Sequence, residues 1–342
     1  MKKVKKRKLF GFLCLGILLA KLFCPTWTSP ISTENGISEM IKLRINGTKI
    51  QLMIRGENVA NPLLLFVHGG PANSEIPYVT KYQNLLEKSF VVVHYDQRGS
   101  GKSFHIEEDY KYISVEQHVE DLVKITDYLK ERFQQKKVVL VAHSYGTYVG
   151  TIAASRYPER FLAYIGIGQV SDPVESECDG LEYCIRQAQK ENVSKDTEYL
   201  QSIREDVKTQ KMITPRKYVR RYNGASIQID DAKDVITGLL IGPEYNWLDA
   251  IQYAAGALKT QRILLEESKR NPLPKIVTKL ELPFYFVMGE QDYMTSTSAA
   301  QHYFEQLSSE YRHEFVVFPG CAHFPQFEEK ERFYEWMKKI LL

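Results

Sequence analysis

Cysteine is scarce in this chain. Cys14, Cys24, Cys178, Cys184 and Cys321 are all it has, and their spacing matches no metal motif. Cys178 and Cys184 stand six residues apart and would face different ways on one helix, so free thiols are expected. Net charge is also small, with 45 Lys and Arg against 42 Asp and Glu and a formal +3. Seven of the positive charges (Lys2, Lys3, Lys5, Lys6, Arg7, Lys8, Lys21) fall in the first 24 residues, which hold no acid. Removing them leaves −4, so the body offers no electrostatic footprint for nucleic acid. No repeat, low-complexity tract or dinucleotide fingerprint occurs, and neither a metal nor another cofactor is expected.

A long apolar run is missing too. The longest near the N-terminus, residues 9–20, has 12 residues, short of the roughly 20 that span a bilayer. Behind a basic cluster it reads as an export signal. Lys21 can snorkel and Leu22, Phe23 and Trp27 extend the run, with no clear cleavage site, so an uncleaved signal-anchor over residues 1–28 is expected. The basic cluster would stay in the cytoplasm, with the body outside the cell membrane; a cleaved, secreted form is the alternative.

What the chain does have is a rhythm of strands and helices. After a linker (29–39), residues 40–45 and 49–54 alternate around Asn46-Gly47, the pattern of a hairpin. Apolar strands follow at 63–67, 90–95, 138–143 and 162–167, separated by helical spacing at 78–88 and 115–133. Residues 170–278 are charged and helical in pattern with no buried-strand run, a helical cap. The rhythm resumes at 284–288, 298–308, 314–318 and 328–340. The expected fold class is α/β, a mostly parallel sheet in two core parts (40–169 and 279–342) with the cap inserted over the carboxyl ends of its strands.

The stretch Val138 to Thr147 breaks a buried strand at Ser144 and continues as a helix rich in small residues. That is the form of a nucleophile elbow, read here as A-x-S-x-G because Ala142 and Gly146 flank the serine. Taken alone it equally suits a serine capping a helix. A serine nucleophile needs a base oriented by an acid. Asp292 directly follows one later strand and His323 the next, in the chain order Ser, Asp, His. Asp292 would hold His323 in the tautomer that accepts the Ser144 proton. Glu290 is the rival acid, and His143 reads as a packed neighbour. Glycines in His68-Gly69-Gly70-Pro71 allow close backbone approach, so the N–H groups of Gly70 and Tyr145 are the expected oxyanion donors.

Three motifs together carry a family resemblance: His68-Gly69-Gly70-Pro71, Asp96-Gln97-Arg98-Gly99-Ser100-Gly101-Lys102-Ser103 and His143-Ser144-Tyr145-Gly146. They resemble the proline iminopeptidases and their α/β-hydrolase relatives. The resemblance implies an α/β-hydrolase fold and release of an N-terminal residue, typically proline, from a short peptide. It also implies cap and rim carboxylates that hold the substrate's ammonium group. Two positions depart from the family: Ala72 and Ala142 replace glycines.

For the ammonium group the sequence offers the cluster Asp172, Glu175, Glu177 and Asp179, with Glu175 and Glu177 preferred, and Glu244 beside Tyr245 and Trp247. The expected substrate is a small peptide. The alternative is an ester, lactone or thioester with a small acyl group, and a third reading is a quiet binding protein on the same fold.

Overall fold

The computed structural model describes residues 24–342 together with Gly16, Leu19, Lys21 and Leu22. Most of the expected signal-anchor lies outside the described residues. No helix among those described is long and apolar enough to cross a membrane.

Eight strands make one sheet: β1 (Ile37–Ile45), β2 (Thr48–Gly56), β3 (Leu63–Val67), β4 (Val91–Tyr95), β5 (Val138–His143), β6 (Phe161–Ile167), β7 (Phe284–Gly289) and β8 (His313–Phe318). Their order across the sheet is β1-β2-β4-β3-β5-β6-β7-β8. β1 and β2 form the antiparallel hairpin around Asn46-Gly47, and β2 runs antiparallel to β4. Every other pairing is parallel. Parallel strands are covered on both faces, which is why they read as unbroken apolar runs. Leu63, Leu65, Val67, Leu140 and Ala142 pack into the core on one side. Leu64, Phe66, Val139 and Val141 pack on the other.

The helical spacing at 78–88 is realised as two 3-10 turns (Val79–Lys81, Gln83–Leu85) and one α turn (Leu86–Ser89). Burial every three to four residues suits both geometries, so periodicity alone does not separate them.

Between β6 and β7 lie helices only, and they form two parts. Those from Pro173–Lys190 to Arg216–Arg221 share a core of Leu181, Cys184, Ile185, Leu200, Val207 and Val219. The helices Asp231–Ile241 and Trp247–Arg270 pack instead on the α/β body: Tyr245 and Tyr253 join the cluster around Tyr78 and Phe327, and Leu264 joins the main core. Cys178 and Cys184 are both free thiols.

The parallel strands all end on one edge. From it rise the loops bearing His68, Asp96, Ser144, Asp292 and His323, with the helical region above.

Candidate active site

Ser144 makes the whole turn between β5 and the helix Tyr145–Arg156, at φ 54° and ψ −129°. Positive φ on a non-glycine residue is strained, and such strain persists only where surrounding structure imposes it. From Val138 to Ala154 only Ser144 is not buried. A Cβ at Gly146 would collide with the Val67 carbonyl, so this place must stay glycine. Ala142 is accommodated because Gly150 faces it; a Cβ there would stand 2.9 Å from the alanine methyl.

His323 Nδ1 donates to Asp292 Oδ2 at 2.8 Å, and both residues are buried. Asp292 Oδ1 accepts the backbone N–H groups of Met294 (2.9 Å) and Thr295 (3.1 Å), and the Thr295 hydroxyl donates to Oδ2 at 2.9 Å. Burial by itself would raise the Asp292 carboxyl; His323 and Thr295 outweigh it and hold it below the ordinary carboxylate range. An ionised Asp292 keeps the imidazole proton on Nδ1 and leaves Nε2 as the acceptor. Among the described residues no hydrogen bond joins Ser144 Oγ to His323 Nε2. The serine side chain lies close against Gly69, where a Cβ would be 2.8 Å from its Cβ and 3.3 Å from its Oγ. Glu290 sits apart, accepting the Gly320 N–H at 3.1 Å on the surface.

The His68–Pro71 loop lies directly against the elbow, since a Cβ on Gly69 would reach 2.8 Å from Ser144 Cβ. Its backbone is fixed by the Asp96–Ser103 block. The Gln97 amide donates to the His68 carbonyl at 2.6 Å, and the Gln97 backbone N–H donates to His68 Nε2 at 3.1 Å. Asp96 accepts from the Lys102 backbone N–H, the Tyr245 hydroxyl and the Ser74 hydroxyl. Arg98 grips Asp121 through two bonds of 2.8 and 2.9 Å. The block ties the loop under Ser144 to the helices above.

Gly70, Ser144 and Tyr145 line one cavity of about 570 Å³, a volume ordinary for a small-molecule site. Asp172 and Glu177 line it as well, while Glu175 and Glu244 do not. Glu175 lies on the outer surface, paired with His302. Glu244 is buried under the N-terminal segment, where Thr28 donates to it at 3.3 Å. Burial raises its carboxyl above the ordinary range. Glu177 is held by both guanidinium nitrogens of Arg216 (2.5 and 3.0 Å) and by the Thr214 N–H at 2.8 Å, so its charge is already matched. Asp172 has no ion-pair partner among the described residues; its Oδ1 caps the helix Pro173–Lys190 by accepting the Val174 and Glu175 N–H groups. Among the acids named for this cavity, Asp172 is therefore the one held by a helix N-terminus and not by a cation.

The sequence profile of the alpha/beta hydrolase fold matches residues 62–330. The chain belongs to the α/β-hydrolase fold family. This α/β-hydrolase is 29% identical over 309 residues to the probable aminopeptidase YbaC of Bacillus subtilis (strain 168), covering 89% of this chain and 96% of that one. It is 22% identical over 316 residues to a proline iminopeptidase of Saccharolobus solfataricus, covering 87% and 90% respectively. The crystal structure of a proline iminopeptidase of Mycobacterium smegmatis superposes with a TM-score of 0.62 at 15% identity, over 89% of this chain and 97% of that one. The likeness to the proline iminopeptidases read from the three motifs thus extends over most of the hydrolase.

Two features of the α/β-hydrolase site escaped sequence reasoning. Thr295, which braces Asp292, could have been read from the Asp-x-x-Thr spacing of a capped turn. The buried pair of His143 Nδ1 and Glu75 Oε1, 2.6 Å apart, could not, because 68 residues separate the partners. His143 Nε2 donates to the His323 carbonyl at 2.9 Å, so this pair supports the loop that carries the imidazole.

Proposed function

We propose that this hydrolase is a serine aminopeptidase that releases the N-terminal residue of short peptides. The observation that carries the reading is the one residue of the elbow that is not fully buried, Ser144, beside the buried Asp292–His323 pair on the edge where the strands end. Aminopeptidase-named relatives that match nearly end to end support the substrate class.

In the proposed reaction, Ser144 Oγ attacks the first peptide carbonyl as His323 Nε2 takes its proton. Catalytic hydrogen bonds are commonly loose before substrate arrives, and rotation about the serine Cα–Cβ bond would align this one. Asp292 stabilises the imidazolium that forms. The Gly70 and Tyr145 N–H groups receive the oxyanion, where preorganised donors act on charge as it develops. His323 then protonates the departing amine, and a water activated by the same imidazole hydrolyses the aminoacyl-Ser144 ester. Asp172 holds the substrate ammonium group, being the cavity acid without an ion-pair partner among the described residues.

A second reading keeps the chemistry on an ester or thioester. It draws on the cavity lining, where Arg216, Arg220, Arg262 and Lys269 face only Asp172, Glu177 and Glu266. Aminoacyl amides with a free and an acetylated amino group separate the two. The aminopeptidase reading expects turnover of the free form only, abolished in Ser144→Ala; equal turnover of both forms, or of aryl esters alone, rejects it.

A further inference from the structure

The two helices laid on the α/β body carry an outward face with an unusual composition. On Asp231–Ile241 the inner side is Gly238, packed so closely on Pro77 that a Cβ would strike its carbonyl. Ile236 and Leu240, four residues apart, therefore point outward and are 57% and 50% exposed, with Ile241 beside them. On Trp247–Arg270 the inner side is Tyr253, Gly256, Thr260 and Leu264. Leu248, Ile251 and Leu258 form the outer stripe, and Leu258 is 87% exposed. The Trp247 indole N–H donates to the Leu240 carbonyl at 2.9 Å, joining the two helices into one surface.

The charge around the apolar stripe leans basic. The exposed charged residues from Asp230 to Arg270 are the basic Lys233, Lys259, Arg262 and Arg270 and the acidic Asp230 and Glu266, which stand at the two ends of the stretch. The acids between those ends are turned inward and occupied. Asp234 binds Lys81 and Tyr82, Glu244 accepts from Thr28, and Asp249 lies 3.6 Å from Lys102. An apolar face rimmed by cations, on a body whose charge is otherwise negative, is the composition that rests on anionic lipid.

The chain also arrives at this surface from its basic, apolar leader. Lys21 Nζ donates to the Gly242 carbonyl at 2.6 Å, Asn246 donates to the Cys24 carbonyl at 3.3 Å, and the Trp27 N–H donates to the Pro243 carbonyl at 3.1 Å. Trp27 itself is 58% exposed there. The sequence immediately upstream is the cationic cluster and the apolar run of residues 9–20.

We infer that the face formed by Ile236, Leu240, Ile241, Leu248, Ile251 and Leu258 lies on the surface of an anionic bilayer. The cap rests flat on lipid, with Lys233 and Lys259 at the headgroups, in addition to any hold the N-terminus has. The inference is independent of the substrate assigned to Ser144.

The test uses the full chain with Cys14, Cys24 and Cys178 changed to serine and one environment-sensitive fluorophore placed at Ile251→Cys, Leu258→Cys or, as control, Lys136→Cys. Protein is bound to phosphatidylglycerol-containing vesicles, with brominated lipid as quencher. The expected result is a blue shift and quenching at 251 and 258 with neither at 136. Labels at 251 and 258 that stay in water on vesicle-bound protein overturn the inference. So does shielding already present before vesicles are added: if independent of protein concentration the leader covers the face, and if dependent on it a second copy does.

Discussion

Substituting Glu75 tests how the elbow and the His323 loop are held together. Glu75 and His143 are each 4% exposed at the side chain, with Nδ1 and Oε1 2.6 Å apart. His143 Nε2 donates to a backbone carbonyl, so both ring nitrogens face acceptors and the imidazolium is the form that satisfies both. Burial works against either charge, but Glu75 outweighs it and raises His143 above its ordinary 6.5. Likewise His143, helped by nearby His94 and His68, holds Glu75 below its ordinary 4.5 against the burial that would raise it. Removing one partner of a buried pair strands the other charge, so Glu75→Ala should cost about 3–5 kcal/mol of unfolding free energy. Glu75→Gln should cost clearly less, because its amide can donate to a neutral Nδ1 while Nε2 keeps its proton. The signs of linkage set the pH dependence. The contribution of Glu75 is lost as pH falls through its lowered native pKa, and that of His143 is lost as pH rises through its raised one. The stability gap between wild type and Glu75→Gln should thus be widest from about 4.5 to 6.5 and narrow on either side. Urea unfolding at a series of pH values measures it. A cost below about 1 kcal/mol for Glu75→Ala, or a gap that does not vary with pH, would refute an ion pair here.

Other substitutions probe the remaining parts. Asp292→Asn keeps the shape but frees the imidazole to take the wrong tautomer, and kcat should fall about 10³–10⁴-fold with KM little changed; steady-state kinetics decides. Asp172→Asn preserves the helix cap, since Asn caps as well as Asp. It should raise KM for free-amino substrates by roughly 10-fold or more, the scale of a lost charge-assisted hydrogen bond, and leave turnover of esters without an amino group unchanged. Ala72 is buried at φ 65°, a conformation costing an alanine about 1–2 kcal/mol. After allowance for glycine's greater unfolded-state entropy, Ala72→Gly should stabilise the protein by about 0.5–1 kcal/mol in thermal or urea unfolding.

The frame of the site was readable in the sequence because buried parallel strands announce themselves. Val138 to Ala142 and Phe284 to Met288 are apolar on both faces, and that pattern alone puts the residues that follow them on one edge. The partners of individual charges were not readable. Glu177 is matched by Arg216, 39 residues away, and Glu175 by His302, 127 away. Glu244 is sealed by Thr28, 216 residues earlier. Charge and a place after a strand or beside aromatics single out each of them, but what decides its availability is a contact set by tertiary packing. The departure at Ala142 has a similar answer, since the space its methyl needs is provided by Gly150 across the strand–helix junction.

The claim on which the rest depends is that Ser144 attacks the carbonyl next to a free ammonium group. Its most direct measurement is acyl-enzyme trapping with a p-nitrophenyl ester of proline, free or N-acetylated, read by intact-protein mass spectrometry. The account predicts an aminoacyl adduct on Ser144 from the free amino ester, absent in Ser144→Ala and at least tenfold slower from the acetylated one. Equal labelling by both esters, or an adduct that survives Ser144→Ala, would contradict it.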